Sequence, residues 1–292
     1  MSVNDGVAMN ERVFLALYDD QWCIELDGVT HVLSEEIPSL DWVLANLPAS
    51  EVMDRLLAAR GALLTPQPAT CRAPVGKQEV WASGVTYKRS EEARERESQN
   101  STIYTRVYHA ERPELFFKAF GPEVVSSGEA AGIRFDATWS VPEPELVVVF
   151  NKCMEVIGFT VGNDLSSRDI EGENPLYLPQ AKVYERACVL GPRIWLQPGA
   201  EQWPEVDIRI VISRAGETVF SGETATSQIK RSLAELGSYL GRCRRFPAGV
   251  FLFSGTGIVP PDAFSLAVGD EVRITIDAIG ELINPIMIVG TP

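Results

Sequence analysis

The stretch P-E-P-E-L-V-V-V-F, residues 142–150, constrains this chain more than any other segment. Leu146–Phe150 is an unbroken apolar run and reads as a buried strand. Pro144 fixes its own φ and has no N–H to give, so it suits the end or edge of a strand and not the centre of a sheet. Glu143 and Glu145 lie two residues apart and therefore point to one face of an extended segment. Asp164 closes a second apolar run, G-F-T-V-G-N-D. Three carboxylates mounted in this way suit a hard divalent cation. Taken alone, the E-x-E pair reads more readily as the solvated face of an edge strand.

Length and composition narrow the classes. With 292 residues, 45% of them hydrophobic and 23% charged, the chain is expected to be a globular protein of one large or two ordinary domains. No apolar stretch approaches the ~20 residues of a membrane span. The first residues lack a basic region followed by an apolar one, so a cytoplasmic location is expected. The net charge of −14 argues against nucleic-acid and anionic-membrane partners. It also means that an anionic substrate must meet locally gathered positive charge. Cys23, Cys71, Cys153, Cys188 and Cys243 are scattered and form no C-x-x-C, so they are expected to be small buried hydrophobes.

Residues up to about 75 read as a small module. Val13–Tyr18 and Trp22–Leu26 are predicted strands around a turn at Asp19-Asp20-Gln21. Leu40–Leu64 has helical spacing interrupted by Pro48, which predicts two helices. The Pro- and Gly-rich residues 65–76 read as a linker. Beyond it the chain is rich in strands: Glu114–Phe120, Val156–Val161, Cys188–Leu196, Val206–Ser213 and Glu271–Asp277, the last two with clear alternation. Ile229, Leu233, Leu236, Leu240 and Cys243 line one face of a predicted helix. The charge run Glu91–Gln99 reads as a solvated helix or a cover over a pocket. There is no repeat, no low-complexity tract and no phosphate-binding glycine loop, so nucleotide cofactors have no visible docking place.

Six motifs occur in order: W-A-S-G-V-T-Y (81–87), R-P-E-L-F-F-K (112–118), P-E-P-E-L (142–146), G-N-D-L-S-S-R-D (162–169), L-P-Q-A-K (178–182) and S-G-T-G-I-V-P (254–260). Together they resemble the fumarylacetoacetate hydrolase superfamily over roughly residues 76–292. The resemblance implies an α+β, mainly β fold: a mixed β-sandwich roll of the fumarylacetoacetate hydrolase C-terminal type, with a small N-terminal α+β domain over residues 1–75. It implies homodimers, and Mg²⁺ (with Mn²⁺ or Ca²⁺ as substitutes) held by Glu143, Glu145 and Asp164. Within the superfamily the segments R-P-E-L-F-F-K and 168–184 look most like dehydratases of 2-keto-3-deoxy-pentonates. That likeness implies a small anionic 2-keto acid as substrate, loss of water, and 2-oxoglutarate semialdehyde as product.

One departure carries information. Hydrolytic members of the superfamily have a water-activating histidine three residues after the tyrosine of the G-x-x-Y motif; here that position is Ser90. The chain has only His31 and His109, both read as structural. Dehydration needs no added water, which favours it over the alternative, carbon–carbon hydrolysis or decarboxylation of a 2,4-diketo acid. Lys182 is the first candidate for proton transfer, because burial near a cation disfavours its charged form. Glu114 is the second. Lys118, on the face of Glu114 and Phe116 if that segment is extended, is expected at the substrate carboxylate or behind the site. The resemblance places Ser83, Gly84 and Tyr87 at the substrate end, and Thr256 offers a hydroxyl for the carboxylate. Arg168 and Asp169 are expected to pair with each other.

Overall fold

A computed structural model describes residues 12–66, 71–90 and 102–291. The run Leu146–Phe150 explains much of its architecture. It lies in β9 (Pro144–Phe150), every residue of which is buried. Leu146, Val148 and Phe150 face one apolar core, while Val147 and Val149 face another. The segment is a central strand covered on both sides, which is why it lacks polar alternation. Pro144 is its first residue, where no ladder N–H is required.

β9 belongs to a ten-stranded mixed sheet. In spatial order this sheet comprises β4 (Arg60–Leu63), β3 (Val29–Leu33), β2 (Gln21–Leu26), β1 (Val13–Tyr18), β12 (Cys188–Leu196), β10 (Val156–Asp164), β9, β15 (Val250–Phe253), β5 (Glu79–Gly84) and β6 (Glu114–Phe120). A second sheet orders β14 (Glu217–Ala225), β13 (Asp207–Arg214), β16 (Glu271–Ile276), β17 (Gly280–Val289) and β7 (Ala131–Arg134). A two-stranded piece pairs β8 (Ser140–Val141) with β11 (Ser166–Ser167). Between the two large sheets sits one core, built from Leu146, Val148, Phe159 and Val161 against Ile208, Ile210, Ile274 and Leu282. The alternation in β13 and β16 is the signature of that half-buried second sheet.

On the opposite face of the large sheet lie two helices, Leu40–Asn46 and Ala49–Ala58. Ser39 caps the first, its hydroxyl accepting from Trp42 N at 3.2 Å, and Pro48 sits at the N-cap of the second. Leu40, Leu44, Val52 and Leu56 pack there against Val147, Val149, Phe251 and Phe253. The N-terminal strands do not form a separate sheet. β1 pairs with β12 at Phe14↔Trp195 and Leu15↔Ile194, so they extend the sheet that carries the site.

The fold is thus α+β and mainly β, as expected, with local corrections. The predicted helix around Leu236 spans Leu233–Gly241, because the Ser232 hydroxyl accepts from Glu235 N and starts it there. Ile229 and Cys243 therefore lie outside it. The W-A-S-G segment forms the end of β5, paired with β15 and β6. Cys153 and Cys243 are exposed, against the expectation of buried thiols, whereas Cys23 and Cys188 are buried. The charge run Glu91–Gln99 lies outside the described residues. Among those described, no helix is long and apolar enough to cross a membrane.

Candidate metal centre and active site

At one end of the β9–β10 ladder the two strands bring their acidic residues together. Glu145 lies opposite Gly162, and Asp164 N donates to Glu143 O at 3.0 Å. A side chain at Gly162 would meet Val147 Cγ2 and the Phe253 ring at 2.6 and 2.3 Å, so the strand position opposite Glu145 has room only for glycine. Candidate ligand atoms of Glu143, Glu145 and Asp164 lie within 4.8 Å of one another, and all three residues are buried. The edge-strand reading of the E-x-E pair fails, since β9 has a neighbour on each side.

Among the described residues, three cations surround the cluster. Lys182, which ends the short helix Leu178–Lys182, donates to Glu143 Oε2 at 2.7 Å and to Asp164 Oδ2 at 3.0 Å. Arg168 Nη2 donates to Glu143 Oε1 at 2.7 Å, and Lys118 Nζ lies 2.6 Å from Asp164 Oδ1. Glu145 accepts from Gly255 N at 2.5 Å. Burial, together with the charges of Asp164 and Glu143, raises the Glu145 carboxyl well above its ordinary range; Lys182 and the Gly255 N–H only partly offset this. Three crowded, buried carboxylate donors fit a hard divalent cation.

In front of the cluster is a cleft whose lining includes Ser83, Gly84, Glu114, Lys182 and Thr256. Glu114 packs against Gly84, where a Cβ would fall 2.0 Å from Glu114 Oε2. The hydroxyls are committed to backbone: Ser83 Oγ donates to Phe253 O at 2.6 Å, and Thr256 Oγ1 donates to Pro144 O at 3.0 Å. Ser90 also lines the cleft, and its hydroxyl donates to Thr256 O. A larger groove over Phe150, Met154, Leu233 and Gly237 has a mainly apolar wall. The convergence of charged groups, not size, selects the acidic cleft.

Two expected residues lie outside the cleft lining, Lys118 in the second of its two expected places, behind the site. Lys118 does not line the cleft. β5 and β6 pair Val80 with Ala119 and then Trp81 with Phe117, which makes Lys118 the extra residue of a bulge and breaks the alternation from Glu114 and Phe116. Its ammonium is buried behind Asp164 and also donates to Leu165 O at 3.0 Å and Lys182 O at 2.6 Å. Tyr87 is buried beside Gly257, outside the cleft lining, and its hydroxyl has no hydrogen-bond partner among the described residues. Burial first, and Glu145 second, raise its pKa. Arg168 pairs with Glu143 and not with Asp169, which accepts from Thr138 N and Oγ1 at 2.6 and 2.8 Å. His31 Nδ1 lies 3.2 Å from Gly61 O, and His109 ends the helix Thr102–His109 on the surface.

Sequence reasoning gave Arg168 and Gly255 no contact with the carboxylates and gave no role to Glu171. The last is a buried cleft residue one helical turn after Arg168, and its i, i+3 spacing was the available signal.

The chain resembles known proteins over the same region. The family described as "Fumarylacetoacetate (FAA) hydrolase C-terminal" matches residues 79–287. A probable 2-keto-3-deoxyxylonate dehydratase of Haloferax volcanii is 48% identical over 213 residues, 73% of each chain. The 2-dehydro-3-deoxy-D-arabinonate dehydratase of Saccharolobus solfataricus is 42% identical over 220 residues, again 73% of each. A solved 2-keto-3-deoxy-D-arabinonate dehydratase complexed with magnesium and 2,5-dioxopentanoate superposes with a TM-score of 0.81 at 32% identity, covering 96% of this chain and 100% of that one. The family match spans the carboxylate triad, the cleft and most of both large sheets, and on these grounds the chain belongs to the fumarylacetoacetate hydrolase family.

Proposed function

We propose that this chain is a cytoplasmic, Mg²⁺-dependent hydro-lyase that removes water from a 2-keto-3-deoxy-pentonate of the D-arabinonate or D-xylonate type. The observation that carries the reading is the buried convergence of Glu143, Glu145, Asp164 and Lys182 on a cleft whose lining also includes Glu114. It is supported by relatives named for that reaction and by a magnesium-bearing structural neighbour.

Glu143, Glu145 and Asp164 would hold the ion. Mg²⁺ held there would supply Lewis acidity toward the keto oxygen of a 2-keto acid. Lys182, at the carboxylates, serves the proton of C3. Glu114, in the cleft lining against Gly84, serves the departing C4 hydroxyl. The C3–H and C4–O bonds break, a C3–C4 double bond forms and water leaves. Proton shifts then carry the unsaturation to C5, where the enol becomes the aldehyde of 2,5-dioxopentanoate. Ser90, bonded to Thr256 O, offers no water activator in place of the histidine of hydrolytic relatives.

Two other readings belong to the same proposal. One is a division of the chain near residue 75, supported by the start of the family match at residue 79. The other is assembly as homodimers, which light scattering on the purified chain tests.

The deciding experiment incubates chelator-treated protein with 2-keto-3-deoxy-D-arabinonate and its D-xylonate counterpart, with and without Mg²⁺. The expected result is 2,5-dioxopentanoate only when the ion is present. Release of pyruvate or CO₂, or full turnover by Glu143→Gln in metal-free buffer, would refute the reading.

A further inference from the structure

We propose that Thr86 is a positioning residue for the metal centre, holding a hydrogen-bond donor on Glu145 through one peptide group, a role that rests on reading Glu145 as a ligand of Mg²⁺. Thr86 lies two residues past the end of β5 and is buried. Its hydroxyl donates to Ser254 O at 2.6 Å. At the other edge of that same peptide unit, Gly255 N donates to Glu145 Oε2 at 2.5 Å. A trans peptide is planar, with its C=O and N–H pointing in opposite directions. A bond that fixes the oxygen therefore aims the N–H, and polarisation along the chain strengthens the contact with the carboxylate.

Gly255 makes this restraint necessary. It has φ +88°, and a Cβ there would collide with Thr86 Oγ1. The position accepts only glycine, the residue with the most backbone freedom to lose. An amide of that kind stays on a carboxylate when its neighbours hold it. Toward β9, Ser254 N donates to Leu146 O at 3.0 Å and Thr256 Oγ1 donates to Pro144 O at 3.0 Å, so the loop grips the strand at both residues flanking Glu145. Toward β5, Ser83 donates to Phe253 O, Thr86 to Ser254 O and Ser90 to Thr256 O. Of these three hydroxyls, Thr86 is the one bonded to the peptide that reaches Glu145.

The backbone that delivers Thr86 is strained. Val85 has φ +52°, a region that a β-branched residue rarely enters. Just beyond it, Lys230 N donates to Thr86 O at 3.0 Å. Strain of this kind persists where the surroundings over-determine it, and it gathers at functional sites. Groups behind metal ligands orient them, and losing one typically costs about 10–100-fold in metal affinity.

The test measures Mg²⁺ binding by calorimetry, without substrate, on chelator-treated wild type, Thr86→Val, Thr86→Ala and Thr86→Ser. Urea unfolding in chelator reports on the fold of each. Thr86→Val and Thr86→Ala are expected to bind Mg²⁺ about tenfold more weakly or worse, while Thr86→Ser, which keeps the hydroxyl, stays within about threefold of wild type. Should the valine variant fail to fold, the alanine variant, which puts no methyl against Ser254 O, carries the comparison. Wild-type Mg²⁺ affinity without the hydroxyl, whatever the unfolding midpoint, would overturn the proposal and leave Thr86 a brace for the loop. A serine variant as weak as the alanine one would overturn it as well, since the hydroxyl would then not be the cause. Failure of the metal reading looks different: Glu145→Gln would bind Mg²⁺ as tightly as wild type, and the proposal falls with it.

Discussion

Replacing Lys118 with methionine tests the description of the cluster from behind. The ammonium is fully buried, 2.6 Å from Asp164 Oδ1, and it donates to Leu165 O and Lys182 O. At an effective dielectric of about 20, a pair at that separation has a gross attraction of about 6 kcal/mol. Desolvation of both ions offsets much of this, and removing one partner of such a pair costs about 3–5 kcal/mol. Asp164 keeps Lys182 at 3.0 Å, which lowers the figure, while two carbonyls lose a donor, which raises it. The expected loss is about 4 kcal/mol, or about 1 M in the urea midpoint at a slope of roughly 3 kcal/mol per M. The assay is urea unfolding in chelator, so that no bound ion adds stability by mass action. Most of the loss should come from a stranded carboxylate, so adding Asp164→Asn to Lys118→Met should restore about 2 kcal/mol. A single-variant loss under about 1 kcal/mol, or a double variant weaker than the single, would refute this description of Asp164 and Lys118.

Other outcomes are equally checkable. Gly162→Ala should cost about 1–3 kcal/mol by thermal or chemical unfolding, because the new methyl meets Val147 and Phe253 inside 3 Å. Gly84→Ala should leave the fold intact and cut kcat/KM about tenfold or more by displacing Glu114, read by steady-state kinetics. Burial pushes the Cys23 thiol up to about 11 and Cys188 to about 12. A raised folded-state value means that the stabilisation is full below the unfolded thiol value and is lost as pH rises from about 9 through 11–12. The unfolding free energy from urea titration should therefore fall by on the order of a few kcal/mol between pH 8.5 and 11, and Cys188→Ala should flatten that slope. In thiol titration of the native protein Cys153 and Cys243, both exposed, should react well before Cys188.

What the sequence disclosed follows from burial. β1, β6, β12 and β16 were legible within about a residue because their apolar patterns are set by the cores they face. β14 was missed because it is an edge strand with mostly exposed residues, leaving no alternation to read. β17 carries Asn284 and Pro285 and so resembled a loop. β15 has four residues, too few for a period. At the site, Glu143, Glu145 and Asp164 were legible from spacing and motif order. Their partners were not: Gly255 contributes only a backbone N–H, Arg168 reaches Glu143 across 25 positions, and the bulge that turns Lys118 away arises from pairing with a strand 35 residues earlier.

The pairing of β1 with β12 has a consequence for anyone who shortens this protein. β12 is the strand that holds β10, and thus Asp164, from its other side. Cutting away the first 75 residues would strip β12 of its outer neighbour at Ile194 and Trp195. Bare peptide groups at a sheet margin invite foreign strands and clumping. The fragment that bears Glu143, Glu145 and Asp164 is therefore expected to be a poor expression target, and the amino-terminal piece acts as its seal.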